Sequence, residues 1–405
     1  MSRFALLGLS VVAVSMASIA LAAPSPSESD AILLSPHKGK SVEAGKGVVF
    51  ETRWRKSLVR TGLNRDITAS FGRPAISERH ERVIVGTGEG FVLALSLSNG
   101  DEVWRYRHGA PFETAAAIVD LGTGGVRGME LALLGGRDGR LLAFEVGTGK
   151  LRWEIPIDGD MRSPPRRVGS ELLVTTSTNK VYVLDPSTGA VRWTRGRPAP
   201  TGLTVLGHAR AFEQDGIVYA AFSDGYAEAY ALEDGRGMWS RPLSLRGGDF
   251  IDSDADPVVI NGRVFVASYS DGIYSLEPRD GTTAWTKAAQ AITSLGGHGN
   301  KLLAASADGW FWGLDATTGD LLYRARLPIG SPSRPIVAGD AVIMTGGEGL
   351  FLVFDANNGK PLQATAMGGI VASEPVLAGD HLALISSLGY VVVMRRAKMG
   401  TLTIF

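Results

Sequence analysis

The sequence predicts an all-β protein, an eight-bladed β-propeller of four-stranded antiparallel blades in which an N-terminal strand completes the last blade. Three observations lead to this fold class. A motif that in most copies ends in an aromatic residue recurs at intervals of 38 to 50 residues. Short apolar runs separated by turn residues precede each copy. Glycine accounts for 52 of the 405 residues, roughly twice its usual share, as many tight turns require.

The repeated motif consists of a small residue, an acidic residue, a Thr-Gly pair and a tryptophan, as in Ala143, Glu145, Thr148, Gly149 and Trp153. One large aromatic residue per repeat at a fixed phase favours a structural wedge between adjacent blades over a cofactor stack or a nucleic-acid platform. The residues that we expect to dock one blade on the next are Trp54, Trp104, Trp153, Trp193, Trp239, Trp285 and Tyr323. A weaker last copy ends in Gln363.

The residues that precede each motif form the first half of the repeat, and their pattern predicts further strands. The segments beginning at Pro257, Pro335 and Pro375 each pass through a glycine turn into a second apolar run. Such runs of Val, Ile and Leu between tight turns are typical of hairpins, and four of them per period describe a propeller blade. The last repeat, from about residue 373 to 394, supplies only three strands. We expect segment 48–54 to supply the fourth, which leaves no sheet edge open.

The N-terminal sequence predicts an exported protein. Arg3 precedes an apolar run and the small residues Ala20 and Ala22, an arrangement typical of a cleavable secretory signal. A membrane anchor is the alternative. The predicted boundaries are a signal peptide at 1–22, a flexible linker at 23–47, the propeller at 48–396 and a C-terminal tail at 397–405. No cysteine follows the signal, so we expect no lipoprotein anchor. No other stretch approaches 18 apolar residues, so we expect no transmembrane span after signal removal.

Charge and residue content argue against several functions. The 41 Lys and Arg residues balance the 41 Asp and Glu residues, which gives no global electrostatic reason to bind nucleic acid. Zero cysteines exclude thiol catalysis and Cys-ligated metals. The six histidines lack the spacing of a metal site, and no Gly-x-Ser-x-Gly nucleophile motif is present. We therefore expect no enzyme activity, no metal and no cofactor.

The pattern Ala-x-Asp-x-x-Thr-Gly-x-x-x-Trp resembles the repeat of pyrroloquinoline-quinone-type propellers over residues 48–396. Within that superfamily the chain resembles the BamB family, the propeller subunits of the bacterial outer-membrane β-barrel assembly machinery. Segment 201–207 lies where that family has a Leu-x-Leu-Arg-Gly loop, and segment 250–259 matches its Asp-x-Asp-x-x-Pro-Val-Val start of the next blade. The resemblance implies a monomeric, non-catalytic scaffold within a larger periplasmic complex peripheral to the outer membrane. It would dock on a BamA-like POTRA domain and assist unfolded outer-membrane proteins.

Carried over onto this sequence, the partner-binding residues that the resemblance implies are Leu203, Val205, Leu206, Asp252 and Asp254. Leu206 stands where the family usually has arginine, so one charged contact is absent or replaced. From the residues alone, Asp252, Asp254 and Asp256 would project with period two and repel one another. Docking on a basic partner, a solvated loop whose Asp side chains cap turns and a Ca²⁺ site all remain open for these carboxylates.

Two other functions remain as alternatives. A quinone-dependent dehydrogenase is suggested by the superfamily, although the absence of cysteine and the short blades count against it. A periplasmic propeller that binds a glycan or another envelope complex is the other. Arg166 and Arg334 follow Ser/Pro-rich segments near the inner ends of their blades, so they are candidates to line the axial channel, without an assigned ligand.

Overall fold

The structure is a computed structural model that describes residues 49–58, 72–198, 209–243 and 253–397, with short gaps at 113, 123, 125, 162, 254, 329, 331, 347–348, 368–370 and 372. The predicted signal peptide (1–22) and linker (23–47) lie outside the described residues, as does the predicted tail beyond Ala397.

The described residues form eight four-stranded antiparallel sheets and contain no helix. This confirms the predicted eight-bladed, all-β propeller. Accordingly, that part of the chain holds no helix with the length and hydropathy that a membrane crossing needs. In seven blades the spatial order of the strands follows their order in the chain, because short turns join neighbouring antiparallel strands.

The first four blades are given from the innermost strand to the outermost. Blade 1 contains β2 (Ala75–Ser77), β3 (Arg82–Gly86), β4 (Phe91–Ser96) and β5 (Glu102–Arg107). Blade 2 contains β6 (Ala117–Asp120), β7 (Glu130–Gly136), β8 (Arg140–Glu145) and β9 (Leu151–Pro156). Blade 3 contains β10 (Arg166–Val168), β11 (Glu171–Thr176), β12 (Lys180–Leu184) and β13 (Val191–Gly196). Blade 4 contains β14 (Phe212–Gln214), β15 (Ile217–Ala221), β16 (Tyr226–Ala231) and β17 (Gly237–Pro242).

The next three blades repeat this arrangement. Blade 5 contains β18 (Val258–Ile260), β19 (Arg263–Ser268), β20 (Gly272–Leu276) and β21 (Thr283–Lys287). Blade 6 contains β22 (Ile292–His298), β23 (Lys301–Ser306), β24 (Trp310–Asp315) and β25 (Leu321–Arg326). Blade 7 contains β26 (Ile336–Ala338), β27 (Ala341–Gly346), β28 (Leu350–Asp355) and β29 (Pro361–Ala366).

The eighth blade combines strands from both ends of the described chain. It contains β30 (Val376–Ala378), β31 (His381–Ile385), β32 (Tyr390–Ala397) and, outermost, β1 (Val49–Ser57). β1 runs antiparallel to β32, with Val49 opposite Ala397 and Ser57 opposite Tyr390. The outer edge of β32 is therefore paired rather than exposed.

Eight clusters of buried apolar side chains lie between the blades, one at each junction. The junction between the last and the first blade is built like the others, with Val85 of β3 and Ile385 of β31 in one cluster. Since each blade buries both faces against its neighbours, apolar burial at about 25 cal/mol per Å² holds the ring together. This packing brings the inner strand of every blade to a common axis.

Candidate functional site

The sequence-predicted docking residues Leu203, Val205, Leu206, Asp252 and Asp254 lie outside the described residues. Three residues next to these aspartates in the chain, Ser253, Ala255 and Asp256, are described, and all are buried. Ser253 is 1% exposed and donates its hydroxyl hydrogen bond to the Ala267 carbonyl at 2.6 Å. Asp256 is 8% exposed. Asp256 is therefore not part of a solvent-exposed loop. The side chains that it contacts, Arg210 and Arg334, lie near the propeller axis.

The predicted blade-docking aromatic residues all contact the following blade through a polar atom. Each indole N–H, or the Tyr323 hydroxyl, donates to a main-chain carbonyl in the turn between the two outer strands of that blade. The pairs are Trp54 to Leu97 at 2.9 Å, Trp104 to Val146 at 2.9 Å, Trp153 to Pro186 at 3.0 Å, Trp193 to Leu232 at 2.8 Å, Trp239 to Pro278 at 2.8 Å, Trp285 to Ala316 at 3.2 Å and Tyr323 to Ala356 at 2.7 Å. The same geometry thus recurs at seven junctions.

Gln363 occupies this position in the seventh blade and contacts the eighth blade differently. Its amide nitrogen donates to the Phe50 carbonyl at 2.7 Å, and its amide oxygen accepts from the Phe50 N–H at 2.8 Å. A side chain with one donor and one acceptor thereby forms a two-bond link to β1. The weakest sequence copy of the motif still bonds to its neighbour.

The glycine of each motif turn, which follows Thr, Asn or Asp, lies against the aromatic ring of the preceding blade. Gly149 has φ +74°, and a Cβ there would lie 2.6 Å from Cδ2 of Trp104. Gly235 has φ +69°, and its Cβ would lie 2.7 Å from Cδ2 of Trp193. The left-handed backbone and the close approach of the ring both require glycine. The motif is therefore a two-blade contact, whose glycine belongs to one blade and whose ring belongs to the other.

A cavity of about 440 Å³ lies on the axis and is lined by the inner strands of all eight blades. Arg166 and Arg334 both line it, as their positions in the sequence suggest. Arg73, Arg210 and Asp256 line it too. The axial cavity therefore concentrates charge in a chain whose formal net charge is zero.

One network of ion pairs crosses this cavity. Arg210 of blade 4 donates from its backbone N–H and from Nε to the two oxygens of Asp256, each at 2.6 Å. Its Nη2 donates to Oε1 of Glu374 in blade 8 at 3.3 Å. Arg334 of blade 7 pairs with Asp256, and Nε of Arg73 in blade 1 lies 3.7 Å from Oε2 of Glu374. Blades on opposite sides of the axis are thus linked directly.

A single position of the repeat supplies this network. Its five members, each located four residues before the last residue of an inner strand, are Arg73, Arg210, Asp256, Arg334 and Glu374. In four of these cases proline follows the charged residue, so the backbone is held extended where the strand begins. Sequence reasoning missed Arg73, Arg210 and Glu374. For Arg73 and Glu374 the signal is a charged residue directly before the proline that precedes an inner strand. Arg210 precedes Ala211 and lacks this signal.

Burial dominates the ionisation of these groups. It raises the pKa of Asp256 to about 6, although Arg210 acts in the opposite direction. Burial lowers the pKa of Arg73, and the nearby Arg210 lowers it further. Arg166 is affected in the same way, with Asp256, Glu213 and Glu374 opposing the decrease in its pKa. At Arg210, by contrast, burial is outweighed by Asp256 and Glu374, which raise the pKa, so the carboxylates act most strongly on that guanidinium.

The described residues contain no group of three acidic or histidine side chains arranged to hold a metal ion. The charge in the axial cavity is instead mainly guanidinium, which binds carboxylate and phosphate oxygens through paired N–H donors. The described residues thus form two features with different roles. The motif residues hold the blades together, and the arginine-rich cavity lies on the axis.

Comparison with known proteins gives one family. The family described as outer membrane protein assembly factor BamB matches residues 113–322 and 270–402. Outer membrane protein assembly factor BamB of Moranella endobia is 25% identical over 231 residues, which are 54% of this chain and 58% of that protein. The protein of the same name in Shewanella oneidensis is 22% identical over 258 residues, 62% of this chain and 65% of that protein. The chain thus matches about three fifths of the length of these relatives.

Solved structures share the fold. The crystal structure of BamB from Moraxella catarrhalis superposes with a TM-score of 0.71 at 21% identity, covering 86% of this chain and 100% of that one. Sqt1 of Saccharomyces cerevisiae superposes with a TM-score of 0.66 at 9% identity, covering 81% of this chain and 96% of that one. At these identities the likeness shows the propeller fold alone.

Proposed function

Since the chain belongs to the family of outer membrane protein assembly factor BamB, we propose that it acts as a non-catalytic periplasmic scaffold in outer-membrane protein assembly. Its partner is a POTRA-type domain of a BamA-like barrel subunit, and unfolded outer-membrane proteins are its clients. The observation that carries this proposal is the family match, which extends from residue 113 to residue 402.

The positions of the candidate docking segments within the fold support a shared binding surface. Segment 199–208 joins β13 to β14, and segment 244–252 joins β17 to β18. Both connect the outer strand of one blade to the inner strand of the next, in consecutive blades. Equivalent strand ends of a propeller lie on one side of the ring, so the described ends of β13 and β17 support the proposal of a shared surface.

The chemistry of the two segments suits a partner with both apolar and basic surface. The first contributes Leu203, Val205 and Leu206, and the second contributes the carboxylates Asp252 and Asp254. Apolar anchors with flanking charges are typical of protein interfaces. Asp256 is assigned to the axial network instead and plays no part in this surface.

The test measures binding of the full mature chain to a periplasmic fragment of a BamA-like protein. Charge reversal by Asp252→Arg or Asp254→Arg is expected to weaken binding at least about tenfold, since a like-charge contact costs a few kcal/mol at an interface. Glu233→Arg is the matched control, because Glu233 is exposed in the outer turn of blade 4. An affinity unchanged by both aspartate reversals would refute the proposed surface. No binding by the unaltered chain would refute the proposed partner.

A further inference from the structure

Four guanidinium groups and two carboxylates meet in the axial cavity. The cations are Arg73, Arg166, Arg210 and Arg334, and the anions are Asp256 and Glu374. Arg166 is exposed and also lies in the field of Glu213. Among the other, largely buried groups, three guanidiniums face two carboxylates, which leaves an excess of one positive charge. A network that served only to hold the blades together would need no such excess, since unbalanced buried charge destabilises the fold.

The unbalanced charge belongs to particular groups. Arg210 bonds both carboxylates, Asp256 through Nε and Glu374 through Nη2. Nε of Arg73 and Nε of Arg334 are buried and lack hydrogen-bond partners among the described residues. Buried donors without acceptors each cost about 1–3 kcal/mol, so an added acceptor at this place would be stabilising.

Arg166 provides a third cationic group facing the cavity. Its guanidinium carbon lies over the Phe212 ring, 4.7 Å from the centroid, a cation–π contact that restricts where the side chain can move. Within the part of the chain that the structure describes, Arg166 forms no ion pair. A planar guanidinium held on an aromatic ring is preorganised for a carboxylate or phosphate.

We propose that the axial cavity binds a small oxyanion carrying two negative charges, of the inorganic phosphate or short dicarboxylate class. Its oxygens accept hydrogen bonds from Arg73, Arg166 and Arg334, while Arg210, Asp256 and Glu374 link the blades around it. The negative charge of the ligand would offset the excess of guanidinium groups around the cavity. The volume of about 440 Å³ admits a small molecule and falls in the range of ligand sites.

The experiment is calorimetric titration of the full mature chain with phosphate and, separately, with succinate, both at pH 7. Acetate serves as the monovalent control and urea as the uncharged one. We expect saturable binding, with one site per chain, for at least one dianion, and binding at least about tenfold weaker for acetate. The phosphate and succinate titrations distinguish the two chemical sources of the ligand.

Two variants locate the site. Arg166→Gln is expected to weaken binding of the preferred dianion at least about tenfold, because a charged hydrogen-bond partner is lost. Arg105→Gln is the matched control, since Arg105 is exposed on β5 far from the axis and its loss should leave the affinity unchanged. Arg166→Lys retains the charge but not the paired donors, so it should bind with intermediate affinity. Thermal unfolding of each variant verifies that it is folded.

Three results would overturn the proposal. One is the absence of saturable binding by either dianion up to about 10 mM, which corresponds to no more than a weak surface interaction. Another is an equal affinity of Arg166→Gln and the unaltered chain. The third is a loss of dianion affinity in Arg105→Gln as large as that in Arg166→Gln. None of these results bears on docking to a BamA-like fragment, which depends on other segments.

Discussion

Replacing Gly149 with alanine is expected to destabilise the propeller by about 2 kcal/mol more than the same replacement at Gly216. The two glycines have nearly the same backbone, with φ of +74° and +77°. They differ in what a Cβ would meet. At Gly149 it would lie 2.6 Å from Cδ2 of Trp104, whereas at Gly216 nothing lies within 4 Å. The comparison therefore isolates the contact between the ring and the turn.

The magnitude follows from the geometry. The left-handed conformation costs an alanine about 1 kcal/mol at either position, and this term cancels. Carbon atoms pack at about 3.5–4.0 Å, so the indole of Trp104 would have to move by about 1 Å. That movement lengthens its 2.9 Å hydrogen bond to the Val146 carbonyl. Overpacking of this kind costs about 1–3 kcal/mol.

Urea unfolding followed by tryptophan fluorescence gives the free energy of unfolding of both variants. The dependence of this free energy on urea concentration shows whether unfolding remains equally cooperative. A double-mutant cycle adds Trp104→Ala. Without the ring, Gly149→Ala should cost only the backbone term of about 1 kcal/mol, so the two changes should be clearly non-additive. Equal destabilisation at Gly149 and Gly216, or the full cost persisting beside Trp104→Ala, would refute the proposed contact.

Three further predictions concern single side chains. Trp193→Phe retains an aromatic ring but leaves the Leu232 carbonyl without its donor, so urea unfolding should show a loss of about 1–3 kcal/mol. Arg210→Gln removes two charge-assisted hydrogen bonds, but Arg334 still pairs with Asp256, so stability should fall by about 1–3 kcal/mol, whereas Arg105→Gln should stay within about 0.5 kcal/mol in thermal unfolding. The pKa of Asp256 is about 6 in the fold and about 3.9 in an unfolded chain. The folded state thus binds the extra proton, so this group favours folding most below pH 4, and its contribution falls by about 2–3 kcal/mol as the pH rises to 7. The difference in unfolding free energy between the unaltered chain and Asp256→Asn should follow that fall, and a difference independent of pH would contradict it.

The fold was predictable because its information is local. A Thr-Gly turn, an aromatic residue four positions later and short apolar runs are each legible within about a dozen residues, and their period gives the number of blades. Position matters as well as composition. Ala94 lies opposite Trp104 on the neighbouring strand, so the small residue that starts the motif makes room for the ring.

The axial network was not predictable in the same way. Arg210 and Glu374 are 164 residues apart in the chain and belong to blades 4 and 8, which meet only because the ring places them across its axis. Asp256 illustrates the consequence. Its spacing from Asp252 and Asp254 groups it with an acidic loop, yet the inner strand of its blade carries it into the cavity. The position of a residue within the repeat predicts its contacts better than its neighbours in the chain do, because equivalent positions of different blades meet on the axis.

Two positions of the repeat therefore have different roles, and the chain itself distinguishes them. The motif aromatic is nearly uniform around the ring and makes the same bond at seven junctions, as a purely structural contact requires. The position that starts the inner strand varies, with arginine at Arg73, aspartate at Asp256, and the uncharged Pro164 and Ser294 at the same place in two other blades. Because charged residues occupy this position in only some blades, the charge around the axial cavity is unevenly distributed. The proposed selection of a small anion would depend on that distribution, while the uniform junctions hold the walls of the cavity in place.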